Sequence, residues 1–461
     1  MSRLPIVVAV VLLASAAPAL AKKIEVGEGG AFPTIQAGVD AASPGDTVVV
    51  AAGVHAENVT IPAPLAGLTL KGAKGAVLDA RPLGAAGSGP GLTILAPDVT
   101  VRALTIRNAR AGETPESGVG VESSGDRVRL LDLEIVGCHD GAARLAGDDV
   151  VVTGGRFDAN RGGLVIDGAS ARVEDVRVRT DERDGVRVTG PGARIEDCRV
   201  ETVFRSGIVV LGDGARIVAC RIEGTGLRGV DVLGVDALVR DNEIATTSKE
   251  GIRVEGPFPT IRGNRVERSA THLVRVEGNG ATVLDNDLER SGADIVALNV
   301  RGATDGVVAG NRIRRSGGEG IVIDADSARL TLDGNEVIDG GSFALAAFSL
   351  FGDDLIVRDN RVKRYAGDGF RLRGARNLLV GNRALRCARD GFDLQVQAEA
   401  TELRANVAKK NGAEGFENEA PGVVMIDNVA AGNRIDVANA GTFATFVENA
   451  FGGSVATPEI D

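Results

Sequence analysis

Five carboxylates near the end of the chain recur in step with glycine. In DGFRLRG, RDGFDLQV and AEGFENEA, Asp368, Asp390 and Glu414 each stand immediately before a Gly, and Asp393 and Glu417 follow that Gly by two residues. Hard carboxylate oxygens suit Ca²⁺, which makes Asp368, Asp390, Asp393, Glu414 and Glu417 candidate ligands. Like charges held together also raise a carboxyl pKa toward neutrality, so Asp390 and Asp393 are candidates for an acid and a base. Arg371 and Arg373 lie in the first of the three segments, and their forked guanidinium groups suit the carboxylate of an anionic sugar. The alternative is that acidic residues beside Gly form a solvated face that blocks lateral association. Either reading needs a fold that brings residues some twenty positions apart into contact.

The sequence supplies one. Asn recurs at 242, 264, 286, 311, 335, 360, 382, 406 and 428, and Cys220, Cys198 and Val176 occupy the same slot upstream. Gly163, Gly185, Gly207, Gly229 and Gly251 repeat with the same period. Between these markers run short stretches such as ARIVA and GIVVL, apolar at every second position, which indicates strands with one buried face. Gly, Asn, Asp and Ser separate them as turn residues. Three such strands per repeat predict one coil of a parallel β-solenoid, each strand pairing with its counterpart about 4.8 Å away in the next coil. Like then stacks on like. The Asn residues form a ladder of side-chain amides in a bend with left-handed backbone, and Ser269, Ser291 and Ser316 form a second, smaller stack. Roughly fourteen coils follow Leu133, with two or three looser ones before it, giving a rod about 80 Å long.

The remaining segments fit around this rod. Residues 1–21 read as a signal peptide: MSR, then an apolar run, then APALA before Lys22. No cysteine sits at that junction to carry a lipid anchor, and no later run is long enough to span a membrane, so a secreted or periplasmic chain is expected. Residues 22–60 form an N-terminal cap and first coil, residues 61–435 the solenoid and residues 436–461 a C-terminal cap. AFPTIQAGVDAA predicts a short capping helix with Ile35, Val39 and Ala42 on one side, and Phe443, Phe446 and Phe451 are placed to close the other end. The formal net charge of -11 argues against general nucleic-acid binding, which calls for a basic face. A monomer is compatible with all of this.

FPTIQAGVDAASPGDTVVVAAGVHAENVTI resembles the opening of right-handed parallel β-helix proteins of the pectin-lyase-like superfamily. The GN and DN coils are similar to repeats of polysaccharide lyases, mannuronan epimerases and the periplasmic β-helix protein of nitrous oxide reductase maturation. The resemblance spans nearly the whole chain after residue 21. It implies an all-β, single-stranded right-handed parallel β-helix that acts on or binds carbohydrate. The Asp-Pro-His-Asp element of the epimerases is absent, as are the polygalacturonase segments NTD, GHG and RIK and the pectinesterase LGRPW region. No catalytic residue is carried over from those families.

Other residues bear on the choice of ligand. With no Trp and a single Tyr, the chain lacks the flat platforms on which neutral sugars stack, which favours a charged polysaccharide. The extra residues of the longer coils, in NVRGATDG and FSLFGDD, predict only low walls beside a cleft. His55, His139 and His272 stand without an evident orienting partner. Cys198 and Cys220, one coil apart, are within reach of a disulfide or form two buried thiols in place of ladder Asn. Cys138 and Cys387 share another column, too far apart to pair. The sequence thus predicts an exported β-helix that binds, and cleaves or epimerises, an acidic polysaccharide, with Ca²⁺ as the candidate cofactor. The competing expectation is a non-catalytic scaffold for protein partners or envelope structure.

Overall fold

The computed structural model describes residues 21–80, 89–110, 118–180, 182–341, 345–453 and 455–456, so residues 1–20 of the expected signal peptide lie outside it. Among the described residues the chain is almost entirely β, wound as a right-handed parallel β-helix of three sheets, the first of them 19-stranded. Each coil after the first contributes one strand to each sheet. Arg216–Val218, Arg221–Thr225 and Val230–Leu233 are the first-sheet, second-sheet and Gly-led strands of one coil. Every strand pairs only with the coils before and after it. The Gly-led sheet, for example, begins at Val59–Ile61, paired with Leu92–Ile94, and ends at Val455–Ala456, paired with Ile435–Asn439.

The period-2 pattern explains the burial. Ile217, Ile222, Val230 and Val232 point inward and are fully buried, and their counterparts along the chain join them in one continuous core. The repeating Gly has a steric origin: a Cβ on Gly207 would meet Ile222 Cγ2 at 2.5 Å and the Gly229 carbonyl oxygen at 2.7 Å. Its backbone approaches the next coil too closely for a side chain.

The Asn ladder forms and is longer than expected, reaching Asn449. Asn242 Nδ2 donates to Asn264 Oδ1 (2.9 Å) and to the Ile217 carbonyl (3.0 Å), while the same Asn264 oxygen accepts the Asn242 backbone N–H (3.0 Å). The pattern repeats to Asn428, whose Nδ2 donates to Asn449 Oδ1 at 3.0 Å. Every amide atom is thereby satisfied in a bend away from water. The left-handed residue is not the Asn but the one before it: Asp241 at φ 56°, Asp285 at 55° and Asp427 at 58°. An amide bonded on both sides needs regular backbone, and the preceding residue, Asp or Gly in most coils and Ala405 before Asn406, takes the turn instead. Ser269 and Ser316 are buried in the next bend, but the three serines do not bond to one another: Ser291 Oγ donates to the Ile295 carbonyl and Ser316 Oγ lies 3.3 Å from Tyr365 Oη.

The coil count after Leu133 agrees with expectation, and the count before it does not. Five first-sheet strands precede Leu133, starting at Lys23–Val26, where two or three were expected. These early coils lack Asn in the ladder slot, which hid them. The capping helix α1, Ile35–Asp40, is held by Thr34, whose hydroxyl accepts the Ala37 N–H at 3.1 Å, and it buries Ile35 and Val39 against the first coil. Residues Ile435–Asn439, Phe443–Val447 and Ala450–Phe451 add strands to all three sheets, and Phe443, Phe446 and Phe451 pack on the end of the core.

Candidate functional site

The outward face of the Gly-led sheet carries the site. Adjacent coils place Ser349, Arg371, Asp393 and Glu417 in one column and Asp368, Asp390 and Glu414 in a parallel column at the strand entrance. Beneath them the inward residues are Phe348, Phe370, Phe392 and Phe416, stacked with centroids 4.7, 4.9 and 4.9 Å apart. This rigid aromatic spine fixes the register on which the carboxylates stand.

The five carboxylates meet as the spacing predicts. Asp368, Asp390 and Asp393 can each aim an oxygen within 4.8 Å of the others, and so can Asp390, Glu414 and Glu417. Asp368 Oδ1 accepts the Asp390 N–H (3.1 Å), and Asp390 Oδ1 accepts the Glu414 N–H (2.7 Å), so the column is tied to the backbone. Burial, reinforced by the adjoining Glu414 carboxyl, pushes Asp390 up to about 8. Burial also raises Asp368, and burial with the Asp393 charge raises Glu417. Burial acts to raise Glu414 too, but hydrogen bonds from Asp390 and from Arg434 (2.9 Å) outweigh it and hold Glu414 below its ordinary value. A neutral acid therefore adjoins an ionised carboxylate, the arrangement proton transfer requires.

Arg371 is not where a substrate could be gripped. It is 7 % exposed, with Nε on Asp393 Oδ2 at 2.8 Å and a terminal nitrogen on Asp368 Oδ2 at 2.8 Å. Two buried carboxylates claim it, because a charge in this setting cannot go unpaired. Arg373, the next outward residue, is exposed and sits 5.5 Å over the Phe351 ring. Gln395 Nε2 donates to Asp393 Oδ1 at 2.6 Å, a positioning contact that sequence reasoning missed although Gln395 lies two residues on.

Oxygen donors alone form the two triads, which fits a hard divalent cation. Arg371 already occupies the Asp368 and Asp393 side. Asp390, Glu414 and Glu417 are the better-placed set, because the Arg434 that holds Glu414 is exposed whereas Arg371 is buried, and the raised Asp390 and Glu417 carboxyls are those a cation would relieve.

A second cluster lies on the same face. Asp231, Arg253 and Arg275 share the central column, and Arg228, Glu250 and His272 the entrance column. Arg228 reaches Glu250 (2.9 Å) and Asp231 (3.2 Å), and Arg253 reaches Asp231 (3.3 Å). His272, thought to stand alone, has its Nδ1 2.8 Å from the Val296 carbonyl, which fixes the tautomer with Nδ1 protonated. Burial lowers its pKa, and the Glu250 charge opposes that. Nearer the N-terminus a groove of about 690 Å³, lined by Arg144, Arg183, Arg187 and Arg205 among others, opens on this face. Its arginines come from bends as well as strands, so no single repeat position announced it.

His139 bonds to its neighbour Asp140 at 3.1 Å and His55 to the Ala51 carbonyl at 3.1 Å. Cys198 and Cys220 are free, buried thiols in the Asn slot, with Sγ atoms on the Glu196 and Val218 carbonyls at 3.2 and 3.4 Å. Cys138 and Cys387 are likewise free and buried. No helix among the described residues is long and apolar enough to cross a membrane.

Residues 206–350 match the family model for the right-handed beta helix region. No curated protein sequence matches the chain. Among solved structures, the pre-mature gene product 12 of bacteriophage phi29 is similar at TM-score 0.55 and 10% identity, covering 90% of this chain and 70% of that one. The mannuronan C-5 epimerase AlgE4 A-module of Azotobacter vinelandii has TM-score 0.48 and 15% identity, covering 70% of this chain and 94% of its own. XylC, solved with xylose, has TM-score 0.49 and 10% identity over 73% of this chain and 86% of its own. At such identities the likeness speaks for fold alone. The chain is a right-handed parallel β-helix protein, the architecture that its resemblance to the pectin-lyase-like superfamily implied.

Proposed function

We propose that this is an exported β-helix protein that binds an acidic polysaccharide on the outward face of its Gly-led sheet and transforms it at the Asp368–Glu417 cluster. One observation carries the reading: Asp390, raised to about 8, adjoins Glu414, held low, on a shared outward face. Cleavage by elimination and epimerisation of a uronate both begin with removal of the proton beside its carboxylate. Such a reaction uses a base and an acid of different proton affinity, and Glu414 and Asp390 differ in that sense. Asp393, anchored by Arg371 and Gln395, orients the site. A Ca²⁺ ion held by Asp390, Glu414 and Glu417 is the other use of this cluster: it would ionise Asp390 and replace the acid–base pair with a bridge between this acidic face and a polyanion.

Alginate and pectate, each with and without Ca²⁺, test the proposal by the absorbance of unsaturated product and by NMR of the epimer ratio. Turnover that disappears in Asp390→Asn supports it. Binding and turnover both absent on all uronates would remove it and leave the second reading, a non-catalytic scaffold. The buried Arg371 ion pairs favour that second reading, because they withdraw from any ligand a guanidinium that could have gripped a polyanion. Export is tested by N-terminal sequencing of the mature chain, which should begin at Lys22.

A further inference from the structure

The second sheet changes character along the rod. Over its middle coils, outward charges neutralise one another: Arg177 and Arg199 meet Glu201, Arg221 meets Glu243, Arg265 meets Glu267, and Arg314 meets Asp287. Three later coils abandon the pattern. Arg361, Lys363 and Arg364 lie on one, Arg383 and Arg386 on the next, and Lys409 and Lys410 on the third, with no carboxylate on these strands, although Asp359 stands in the bend before the first. Register sets Arg361 against Arg383, and Lys363 and Lys409 flank Leu385. Only Arg361 and Arg364 have acidic partners, Glu336 at 3.8 Å and Asp339 at 2.5 Å, both on the preceding coil. Lys363 also feels the Asp339 charge, and among the described residues Arg383, Arg386, Lys409 and Lys410 have no carboxylate within ion-pair distance.

Like charges on neighbouring strands repel, so this ridge weakens the fold unless something anionic lies on it. Beside it runs a groove of about 570 Å³, with Arg315, Arg364 and Arg386 on its wall and Gly317, Gly340, Ala366 and Ala388 lining it; Asp339 lines it too and pairs with Arg364, and Arg315 pairs with Glu289, so Arg386 is the wall cation left to a ligand. Small residues leave room for a chain to lie along the rod axis, and across the three ridge coils cations recur on every coil, about every 4.8 Å. Guanidinium forks pair bidentately with carboxylates, as they do with phosphates. The face lacks the exposed aromatics on which nucleic-acid bases stack, since Tyr365 is buried.

We infer that the ridge and its groove form a second, metal-independent binding site for an extended carboxylated polysaccharide. It lies on a different sheet from the acidic cluster in the same coils. The choice of a sugar polymer rests on the function proposed above, but the site does not, since it needs neither Ca²⁺ nor Asp390.

Fluorescently labelled polygalacturonate oligosaccharide, titrated against the full chain in EDTA at low salt, is the test. Binding should weaken steeply with added salt and fall at least about tenfold in the variant carrying R383E, R386E, K409E and K410E. The ratio of binding without and with the four ridge substitutions should be the same in a D390N and D393N background, which separates this site from the catalytic reading. The milder pair Arg383→Gln and Arg386→Gln, checked by thermal melting, guards against misfolding and should show an intermediate loss. No binding in EDTA, or binding indifferent to both ridge variants, would overturn the assignment. Tighter binding of a single-stranded DNA of equal charge would overturn the choice of polysaccharide.

Discussion

The outward face of the Gly-led sheet is written twice with different chemistry. Around Arg228–Glu277, arginines and carboxylates interleave and satisfy one another, over an inward column of Ile208, Val230, Ile252 and Val274. Around Asp368–Glu417, carboxylates outnumber cations and the inward column becomes four stacked Phe. Backbone, register and spacing are alike in the two regions. Chemistry therefore depends on which side chains occupy a few outward slots, and the heavier aromatic core accompanies the region whose surface repels itself.

The comparison is most directly broken at the core. Phe392→Ala should cost about 3–5 kcal/mol, and Ile252→Val in the paired region about 0.5–1.5 kcal/mol, both read from denaturant midpoints. Equal losses would mean that the Phe stack carries no special burden. Next in size, Arg371→Leu strands Asp368 and Asp393 and should destabilise by about 3–5 kcal/mol. Arg253→Leu should cost roughly 1–2 kcal/mol, since Arg228 still contacts Asp231.

Between these lies the ladder common to both regions. Asn335→Ala removes the acceptor of the Asn311 backbone and side-chain amides, each at 3.0 Å, and should cost about 1–3 kcal/mol.

The pH profile sharpens the contrast. Asp390 binds its proton more tightly folded than unfolded, so the stability it contributes is fully present below about pH 4 and is lost as pH climbs to about 8. Melting temperatures across that range should fall in the wild type, and Asp390→Asn should flatten the decline. Added Ca²⁺ should raise the melting temperature near pH 8 in the wild type but not in the variant combining Asp390→Asn and Asp393→Asn; an identical rise in both would discard the metal site. The smallest effect belongs to exposed pairs: Arg265→Ala, which loses Glu267, should cost at most about 1 kcal/mol.

The period, the three strands per coil, the ladder and the capping helix were legible because they are repetitive or local. Alternating burial at Ile217 and Ile222, Asn at one slot, and Thr34 before Ile35 each leave a mark within a few residues. The carboxylate cluster was legible for the same reason, since one period brings Asp390 to Glu414. The fate of Arg371 was not. A guanidinium on that face can reach outward to a ligand or sideways to Asp368 and Asp393, and nothing in one repeat decides between them. The basic ridge escaped notice because a net charge of -11 averages over faces that never meet.

The sequence alone thus determined that this chain coils, and how often, because stacking like on like every 22 residues or so rewards period more than identity. The tertiary structure decided which carboxyl holds a proton, which arginine is consumed internally, where His272 finds a partner and where cations lack one. Those outcomes depend on competition among side chains about 4.8 Å apart on neighbouring coils, where burial and available partners set charge and reach.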